Sequence, residues 1–153
     1  MTTREQTPEQ HATRDSHAER RVLITGAAKG IGLALAQAFA RRGATVGVMD
    51  LNGAEVDAAV AGLGGRGVPL CADVSDYGAL SAALRDAEGQ MCGNFDTVVN
   101  NAGISPKHDG VAHKVWEMDP EEWQRVVDVN LSGSFNTIRA LTPAMREAGR
   151  GWI

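Results

Sequence analysis

The chain of 153 residues has room for one ordinary domain, and its 43% hydrophobic and 22% charged residues are typical of a globular protein. A formal net charge of −4 gives no basic surface for nucleic acid or an anionic membrane, and no apolar run reaches the roughly 20 residues that span a bilayer. Cys71 and Cys92 are far apart and belong to no cluster of Cys and His, which disfavours disulfide and zinc frameworks and predicts a reducing, cytoplasmic location.

The first residues differ in character from the rest. Residues 1–20 carry mixed charges and no aromatic side chain, and they contain no apolar segment of the kind found in secretory signals. We therefore expect a disordered polar tail over residues 1–20 and one domain over residues 21–153.

The first regular elements are a short strand and a helix joined by glycines. The β-prone run "RVLIT" begins at Arg21 and stops at Gly26, and the helix that follows ends near Gly43. The residues expected to form its apolar face are Ile31, Leu35, Ala38 and Phe39.

Strands and helices then alternate along the chain. Further strands are predicted over Thr45–Asp50, Gly67–Leu70 and Thr97–Asn100. One helix is predicted from about Gly53 to Leu63, and another begins after a cap at Ser75 or Asp76. The apolar face of that second helix consists of Leu80, Ala83, Leu84 and Ala87. Because the strands are too apolar to have a solvent-exposed face, the pattern predicts an α/β fold with a parallel sheet covered by helices on both sides.

A long helix is predicted near the end of the sequence. Asp119 is its N-cap, Pro120 occupies the first helical position, and Glu122 completes a capping box. Pro143 should kink this helix, because proline lacks an N–H group. Apolar side chains recur at helical spacing at Trp123, Val127, Leu131, Phe135 and Ile138.

A glycine-rich loop lies between the first strand and the first helix. Gly26, Gly30 and Gly32 in "TGAAKGIG" would let a phosphate approach the backbone and the helix N-terminus. Asp50 ends the second strand 18 residues after Gly32, close to the spacing of the acid that binds an adenosine ribose. The pattern predicts a Rossmann-like, doubly wound dinucleotide site. A tight turn without a ligand, with Asp50 as an ordinary cap, is the alternative.

Four motifs, in order, resemble those of the short-chain dehydrogenases/reductases. They are "TGAAKGIG", "ADVSD" at residues 72–76, "NNAG" at residues 100–103 and "VNLSGSF" at residues 129–135. The resemblance covers residues 22–153. Another Rossmann-type enzyme, such as a methyltransferase or an extended epimerase, would not be expected to combine the last two motifs.

The resemblance implies NAD as cofactor, hydride transfer with a small-molecule alcohol or ketone, and a homo-oligomeric complete enzyme. Asp50 would repel the 2′-phosphate of NADP, which makes NADP the less favoured cofactor, whereas Lys29 in the glycine loop could soften this preference. The implied cofactor-binding residues are Gly26, Ala28, Lys29, Gly30, Ile31, Gly32, Asp50, Leu51, Asp73, Val74, Asn100, Ala102 and Gly103.

Of the family's catalytic residues, the resemblance locates only Asn130, which would organise a water molecule in a proton relay. A structural amide at a helix irregularity is the other interpretation of Asn130. Tyr77 is the only tyrosine, and Ser81 stands where the family has a lysine four residues later. Ser132 and Ser134 lie on the long helix and do not fit the position of the catalytic serine.

The histidines and the loop after the fourth strand do not indicate a second type of catalytic site. His11 and His17 lie in the tail and His108 and His113 in the loop, a pattern that predicts no metal site. In the family such a loop borders the substrate; here it is a candidate substrate wall or simply exposed. The residues concerned are Ser105, His113 and Trp116.

The last residues bear on whether the chain is a portion of an enzyme or a non-catalytic module. Trp152 and Ile153 follow two glycines and are expected to begin a fifth strand beside the fourth. We therefore expect the N-terminal portion of an NAD-dependent short-chain dehydrogenase/reductase, with its sheet interrupted at the fifth strand and inactive by itself. The alternative is a non-catalytic nucleotide-binding or interaction module that pairs with a full-length relative.

Overall fold

The computed structural model describes residues 17–107, 109–111 and 114–153. Within them, strands and helices alternate along the chain as predicted. The strands are β1 (Arg21–Thr25), β2 (Thr45–Asp50), β3 (Gly67–Cys71) and β4 (Thr97–Val99). The helices are α1 (Gly30–Arg41), α2 (Gly53–Ala61), α3 (Tyr77–Met91), α4 (Pro120–Val127) and α5 (Gly133–Glu147), with a π-helical turn at Asp128–Ser132 between the last two.

The four strands form one parallel sheet in the order β3-β2-β1-β4. Ile24 of β1 is in register with Val48 of β2 on one side and with Val99 of β4 on the other. The chain runs outward from β1 to β3 and then returns to place β4 on the opposite side of β1. In such sheets a crevice opens beyond the carboxyl ends of the strands where the order reverses. The predicted Rossmann-like, doubly wound α/β fold is therefore confirmed.

Helices cover both faces of the sheet, and successive residues of β1 point to opposite faces. Val22 and Ile24 belong to a cluster with residues of α1 and α2, whereas Leu23 belongs to a cluster with residues of α3 and α5. All three side chains are fully buried. This burial on both faces explains why the strands are almost continuously apolar.

The apolar face of α1 differs from the predicted one at its first residue. Ile31 is 74% exposed, whereas Gly32, Ala36 and Ala40 are buried. These residues follow the i, i+4, i+8 spacing of one helix face, and their small size lets the helix lie close to the sheet. Ile31 falls outside that face, at the helix end above the carboxyl edge of the sheet.

The long helix near the end of the sequence is divided by the π-helical turn. The predicted cap is confirmed, because Asp119 Oδ1 accepts a hydrogen bond of 2.8 Å from the N–H of Glu121. The α-helix α5 runs through Pro143. Three members of the predicted apolar stripe are 55 to 67% exposed, and we call these three the α4–α5 stripe: Trp123, Leu131 and Phe135. The buried face of α5 consists instead of Gly133, Asn136, Thr137, Leu141 and Met145.

Segments at both ends of the described chain pack against the sheet. The N–H of His17 donates to the carbonyl of Arg42 at 2.8 Å, and the guanidinium of Arg20 stacks 3.7 Å from the ring centre of Trp152. Trp152 forms a parallel bridge with Thr97, which agrees with the predicted start of a fifth strand beside β4. Residues 1–16 of the predicted tail lie outside the described residues. Within the described part of the chain, no helix is long and apolar enough to cross a membrane.

Candidate functional site

A cavity of about 630 Å³ opens beyond the carboxyl ends of β1, β2 and β3, at the reversal of strand order. Its walls come from the loops that follow the four strands and from one face of α4. Predicted site residues that line it are Gly26, Lys29, Asp50, Leu51, Asp73, Val74, Ala102 and Gly103. Because Val129 of "VNLSGSF" also lines it, the cavity brings together residues from all four predicted motifs.

The glycine loop passes very close to the loop after β4. A Cβ atom at Gly26 would lie 2.9 Å from Ala102 Cα, and one at Gly32 would lie 2.3 Å from Gly26 O. Gly30 meets nothing within 4 Å, but its φ of +58° is in the left-handed region that favours glycine. Glycine is thus required at these positions for two different reasons, close approach and backbone conformation.

The N-terminus of α1 borders this cavity through Lys29. Lys29 occupies the N-cap position with no side-chain cap hydrogen bond, and the first turn carries no acidic residue. The first N–H groups of a helix have no intrahelical partner, and together with the helix dipole they favour an anion. This end of α1 can therefore hold a phosphate.

Asn101 ties the glycine loop to the loop after β4. Its Nδ2 donates to the carbonyls of Thr25 at 2.9 Å and Gly26 at 3.0 Å. The hydroxyl oxygen of Thr25 in turn accepts hydrogen bonds of 3.0 Å from the N–H groups of Asn101 and Ala102. Sequence reasoning assigned its neighbour Asn100, whose buried Oδ1 has no hydrogen-bond partner among the described residues. Only the doubled asparagine of "NNAG" could have indicated Asn101.

Asp50 is held at the cavity rim by backbone hydrogen bonds. Its Oδ2 accepts from the N–H of Ala28 at 3.1 Å, and its Oδ1 accepts from the N–H of Leu51 at 2.8 Å. Ala28 thus contributes through its backbone and does not line the cavity. Leu51 is 64% exposed and offers an apolar surface beside the carboxylate. A carboxylate fixed in this way can accept further hydrogen bonds from paired hydroxyl groups.

The loop after β3 is fastened at two points. Asp73 Oδ1 accepts from the N–H of Ser75 at 2.8 Å and from its hydroxyl at 2.7 Å. The buried amide of Asn136 donates to the carbonyls of Val74 at 3.0 Å and Ser75 at 3.2 Å. Asn136 was missed by sequence reasoning, although a polar residue on the buried face of a helix is itself a signal. These bonds fix the backbone of Val74, which forms part of the cavity wall.

Asn130 lies in the π-helical turn, and both ends of its amide bind the backbone of Ile104. Its Oδ1 accepts from the N–H of Ile104 at 2.8 Å, and its Nδ2 donates to the carbonyl of the same residue at 3.0 Å. The structural role considered from the sequence is therefore present. Asn130 does not line the cavity, and its catalytic role stays a prediction.

Four further predicted residues do not line the cavity, whereas several residues that were not predicted do. Gly30, Ile31 and Gly32 lie in the first turn of α1, and Asn100 follows β4. The missed lining side chains include four from the long-helix region, namely Glu121, Gln124, Arg125 and Asp128. No spacing rule links them to the glycine loop, because only the folded sheet brings α4 opposite it. Within the described residues, no three His, Cys, Asp or Glu side chains group as metal ligands would; His108 and His113 lie outside those residues.

The pattern of a glycine loop, an acid after β2 and an asparagine pair after β4 has a counterpart among known proteins. The family model for the short chain dehydrogenases matches residues 20–153. The chain belongs to the short-chain dehydrogenases. In this short-chain dehydrogenase, Tyr77 packs against the core and lies 4.3 Å beneath the guanidinium of Arg139, as expected for a helix-packing aromatic.

Curated relatives of this short-chain dehydrogenase are about twice its length. It is 36% identical over 137 residues to the 2-dehydro-3-deoxy-L-rhamnonate dehydrogenase (NAD(+)) of Sphingomonas sp. (strain SKA58), covering 90% of this chain and 53% of that protein. It is 38% identical over 134 residues to the D-threitol dehydrogenase of Mycolicibacterium smegmatis, covering 86% of this chain and 49% of that protein. The chain therefore spans about half the length of the curated relatives it matches.

Solved structures share the fold, and some of them hold a nicotinamide cofactor. A 3-oxoacyl-[acyl-carrier protein] reductase with bound NAD from Brucella melitensis is 64% identical, with a TM-score of 0.86, over 100% of this chain and 58% of that chain. A gluconate 5-dehydrogenase from Burkholderia cenocepacia J2315, in complex with NADP and tartrate, is 30% identical. Its TM-score is 0.82, and the match covers 92% of this chain and 54% of that chain. Relatives of this short-chain dehydrogenase therefore bind either form of the cofactor.

Proposed function

We propose that residues 21–153 form the NAD-binding part of an oxidoreductase that transfers hydride between NAD(H) and an alcohol or ketone. The observation that carries this proposal is Asp50, fixed by the glycine-loop backbone at the rim of a cavity that meets the N-terminus of α1. The NAD bound in the Brucella melitensis relative supports the same choice of cofactor.

The chain offers groups that would hold the adenosine half and the pyrophosphate of a dinucleotide. The uncapped N-terminus of α1, reached through Gly26 and Gly30, would hold the pyrophosphate, and Asp50 would accept hydrogen bonds from the adenosine ribose. The apolar surfaces of Leu51 and Val74 would enclose the adenine ring. When bound, the nicotinamide supplies the hydride acceptor or donor, and the protein supplies binding and orientation.

Asp50 also supports NAD over NADP. A 2′-phosphate would occupy the position where the carboxylate meets the ribose hydroxyl, and two negative charges in contact destabilise the complex. The 30% identical gluconate 5-dehydrogenase binds NADP, so family membership does not decide the cofactor. The preference for NAD therefore rests on this chain's own residues.

Catalysis belongs to the whole protein in this proposal. The 153 residues contain one tyrosine, Tyr77, and no Tyr-x-x-x-Lys pair that could act as the family's acid and base. We therefore expect these residues to bind the cofactor without turning over a substrate. A cytoplasmic location and the role of Asn130 in a proton relay likewise stay predictions.

A second candidate function is a non-catalytic module that pairs with a full-length relative or with a second copy. The exposed α4–α5 stripe favours it, because large apolar side chains clustered on a surface commonly mark contacts between proteins. If the complete enzyme forms a homo-oligomer through this surface, the stripe supports association under either candidate.

Cofactor binding by the 153-residue chain tests the proposal directly. We expect calorimetric titration to show NAD binding, and Asp50→Asn to weaken it about tenfold or more, since hydrogen bonds to a charged group contribute about 1.5–3 kcal/mol. Asp57→Asn is the matched control, because Asp57 is an exposed acid on α2 and does not line the cavity. No NAD binding, or equal losses in the two variants, would refute the proposed site. Steady NADH turnover by the 153-residue chain would refute the expectation that these residues bind the cofactor without turning over a substrate.

A further inference from the structure

The glycine loop contains one cation, and an acid on α2 pairs with it. Lys29 Nζ lies 3.3 Å from Glu55 Oε2, and the two side chains are 77% and 43% exposed. Lys29 lines the cavity together with Asp50 and Leu51. Lys29 therefore belongs to the rim at which the adenosine ribose is proposed to bind, and Glu55 pairs with it from outside the cavity.

Glu55 is held in position at the start of α2. It lies in the first turn of α2, where the helix dipole favours a negative charge. Its own N–H donates to Asn52 Oδ1 at 3.4 Å, so the backbone that carries the carboxylate is part of the capped turn. The ammonium of Lys29 is thus drawn toward α2 by a group outside the predicted site.

The carboxylate of Asp50 has no cation against it among the described residues. Both of its oxygens accept backbone hydrogen bonds, from Ala28 and Leu51, and its negative charge stays at the rim. Since Glu55 does not line the cavity, a 2′-phosphate arriving there would meet the carboxylate of Asp50. It could gain Lys29 only by breaking the pair with Glu55 or by binding beside both carboxylates.

We propose that Glu55 is a specificity-determining residue, which withholds Lys29 from a 2′-phosphate and so strengthens the preference for NAD over NADP. This inference rests on the proposed function, because it concerns the same cavity. Since exposed ion pairs contribute up to about 1 kcal/mol, the effect of Glu55 on the ratio of affinities is about two- to fivefold. Asp50 decides that NAD binds more tightly than NADP, and Glu55 contributes part of the difference in affinity.

Titration of NAD and NADP against four forms of the full 153-residue chain tests this inference. They are the wild type, Glu55→Gln, Lys29→Met and the double variant. We expect Glu55→Gln to lower the Kd for NADP about two- to fivefold, with a smaller change for NAD. In the Lys29→Met background, the same change at Glu55 should have no effect on the ratio, because no ammonium remains to be released. Asp57→Asn, which removes one exposed charge from the same helix, should leave the ratio unchanged.

The outcomes separate this inference from the proposal on which it rests. NAD binding with the same NAD-to-NADP ratio in wild type and Glu55→Gln would overturn the role of Glu55 alone. A ratio that shifts equally with and without Lys29 would do the same, since the effect would then be general charge. Absence of binding by either nucleotide would overturn the proposed function and this inference with it. Thermal melting of each variant confirms that the compared chains are folded.

Discussion

Gly32 is the residue on which the close approach of α1 to the glycine loop depends. A Cβ atom there would lie 2.3 Å from Gly26 O and 2.7 Å from Asn101 Nδ2. The first of these is backbone and the second ties two loops together, so neither can move without opening the loop. We expect Gly32→Ala to lower the free energy of unfolding by at least about 2 kcal/mol and to weaken NAD binding, as overpacking of a close contact does. Chemical denaturation and NAD titration measure the two effects.

A second glycine provides the matched control for this substitution. Gly89 lies near the end of α3, and a Cβ atom there would meet nothing within 4 Å. Gly89→Ala should therefore stabilise the protein by about 0.5–1 kcal/mol through helix propensity. If Gly32→Ala is as stable as Gly89→Ala, the close approach at the glycine loop is not a constraint on the fold.

At the residue scale, the sequence predicted the site residues that belong to local motifs and missed those that approach the cavity only in the folded chain. Asp50 could be found because its distance from the glycine loop follows from one strand and one helix. Arg125 and Asp128 line the same cavity, but their approach depends on how α4 returns across the sheet. Asn101 stands beside a predicted residue, and only the backbone path after β4 decides which of two adjacent amides turns toward Gly26. Residues brought in by tertiary structure carry no local signal.

At the element scale, strands and caps were predictable, whereas the division of the last helix was anticipated only as the alternative interpretation of Asn130. Apolar runs and the caps at Asp76 and Asp119 act locally, so they specify their elements directly. The π-helical turn instead coincides with a long-range contact, because Asn130 within it binds Ile104, 26 residues away in sequence. A π-helical turn changes the angle at which later side chains emerge, so the stripe read at α-helical spacing does not follow one buried face.

The junction between α3 and β4 depends on a partly buried carboxylate. Glu88 Oε1 accepts a hydrogen bond of 3.3 Å from the N–H of Phe95, whose ring is buried. Burial raises the pKa of Glu88 above its ordinary value of 4.5, and the hydrogen bond from Phe95 offsets part of this. The folded state therefore favours the protonated form. Its contribution to stability is present below the unfolded pKa and is lost as the pH rises through the folded pKa.

Replacing Glu88 with glutamine should remove this dependence on pH. Glu88→Gln keeps the acceptor for Phe95 and carries no charge, so we expect the Tm of the variant to exceed that of wild type at about pH 7 and to match it at about pH 4. The gain should be a few degrees at most, because about 1 kcal/mol shifts Tm by roughly 2–4 °C at this size. The matched control is Asp86→Asn, which changes an exposed acid of the same helix and is melted at the same two pH values. A difference that does not vary with pH would contradict the assignment to Glu88.

At the scale of the whole molecule, the two sides of α4 and α5 are unlike. One side lines the cavity or packs on the sheet, and the other presents the α4–α5 stripe to solvent. Burying an apolar side chain of this size contributes about 1.5–3 kcal/mol, so a partner that covered Trp123, Leu131 and Phe135 would gain enough to offset much of the cost of association. The net charge of −4 is small for a chain of this length and opposes association only weakly.

We therefore expect the 153-residue chain to associate through the α4–α5 stripe as its concentration is raised. Leu131→Glu should shift the sedimentation coefficient toward that of a monomer, because a carboxylate would have to be desolvated in the interface. Val115→Glu makes the same change at an exposed residue outside the stripe, 76% accessible in wild type, and should leave association unchanged. A wild type that stays monomeric at all concentrations, or equal effects of the two variants, would contradict a role for the stripe in self-association. Since neither Leu131 nor Val115 lines the cavity, NAD binding by each monomer should be retained.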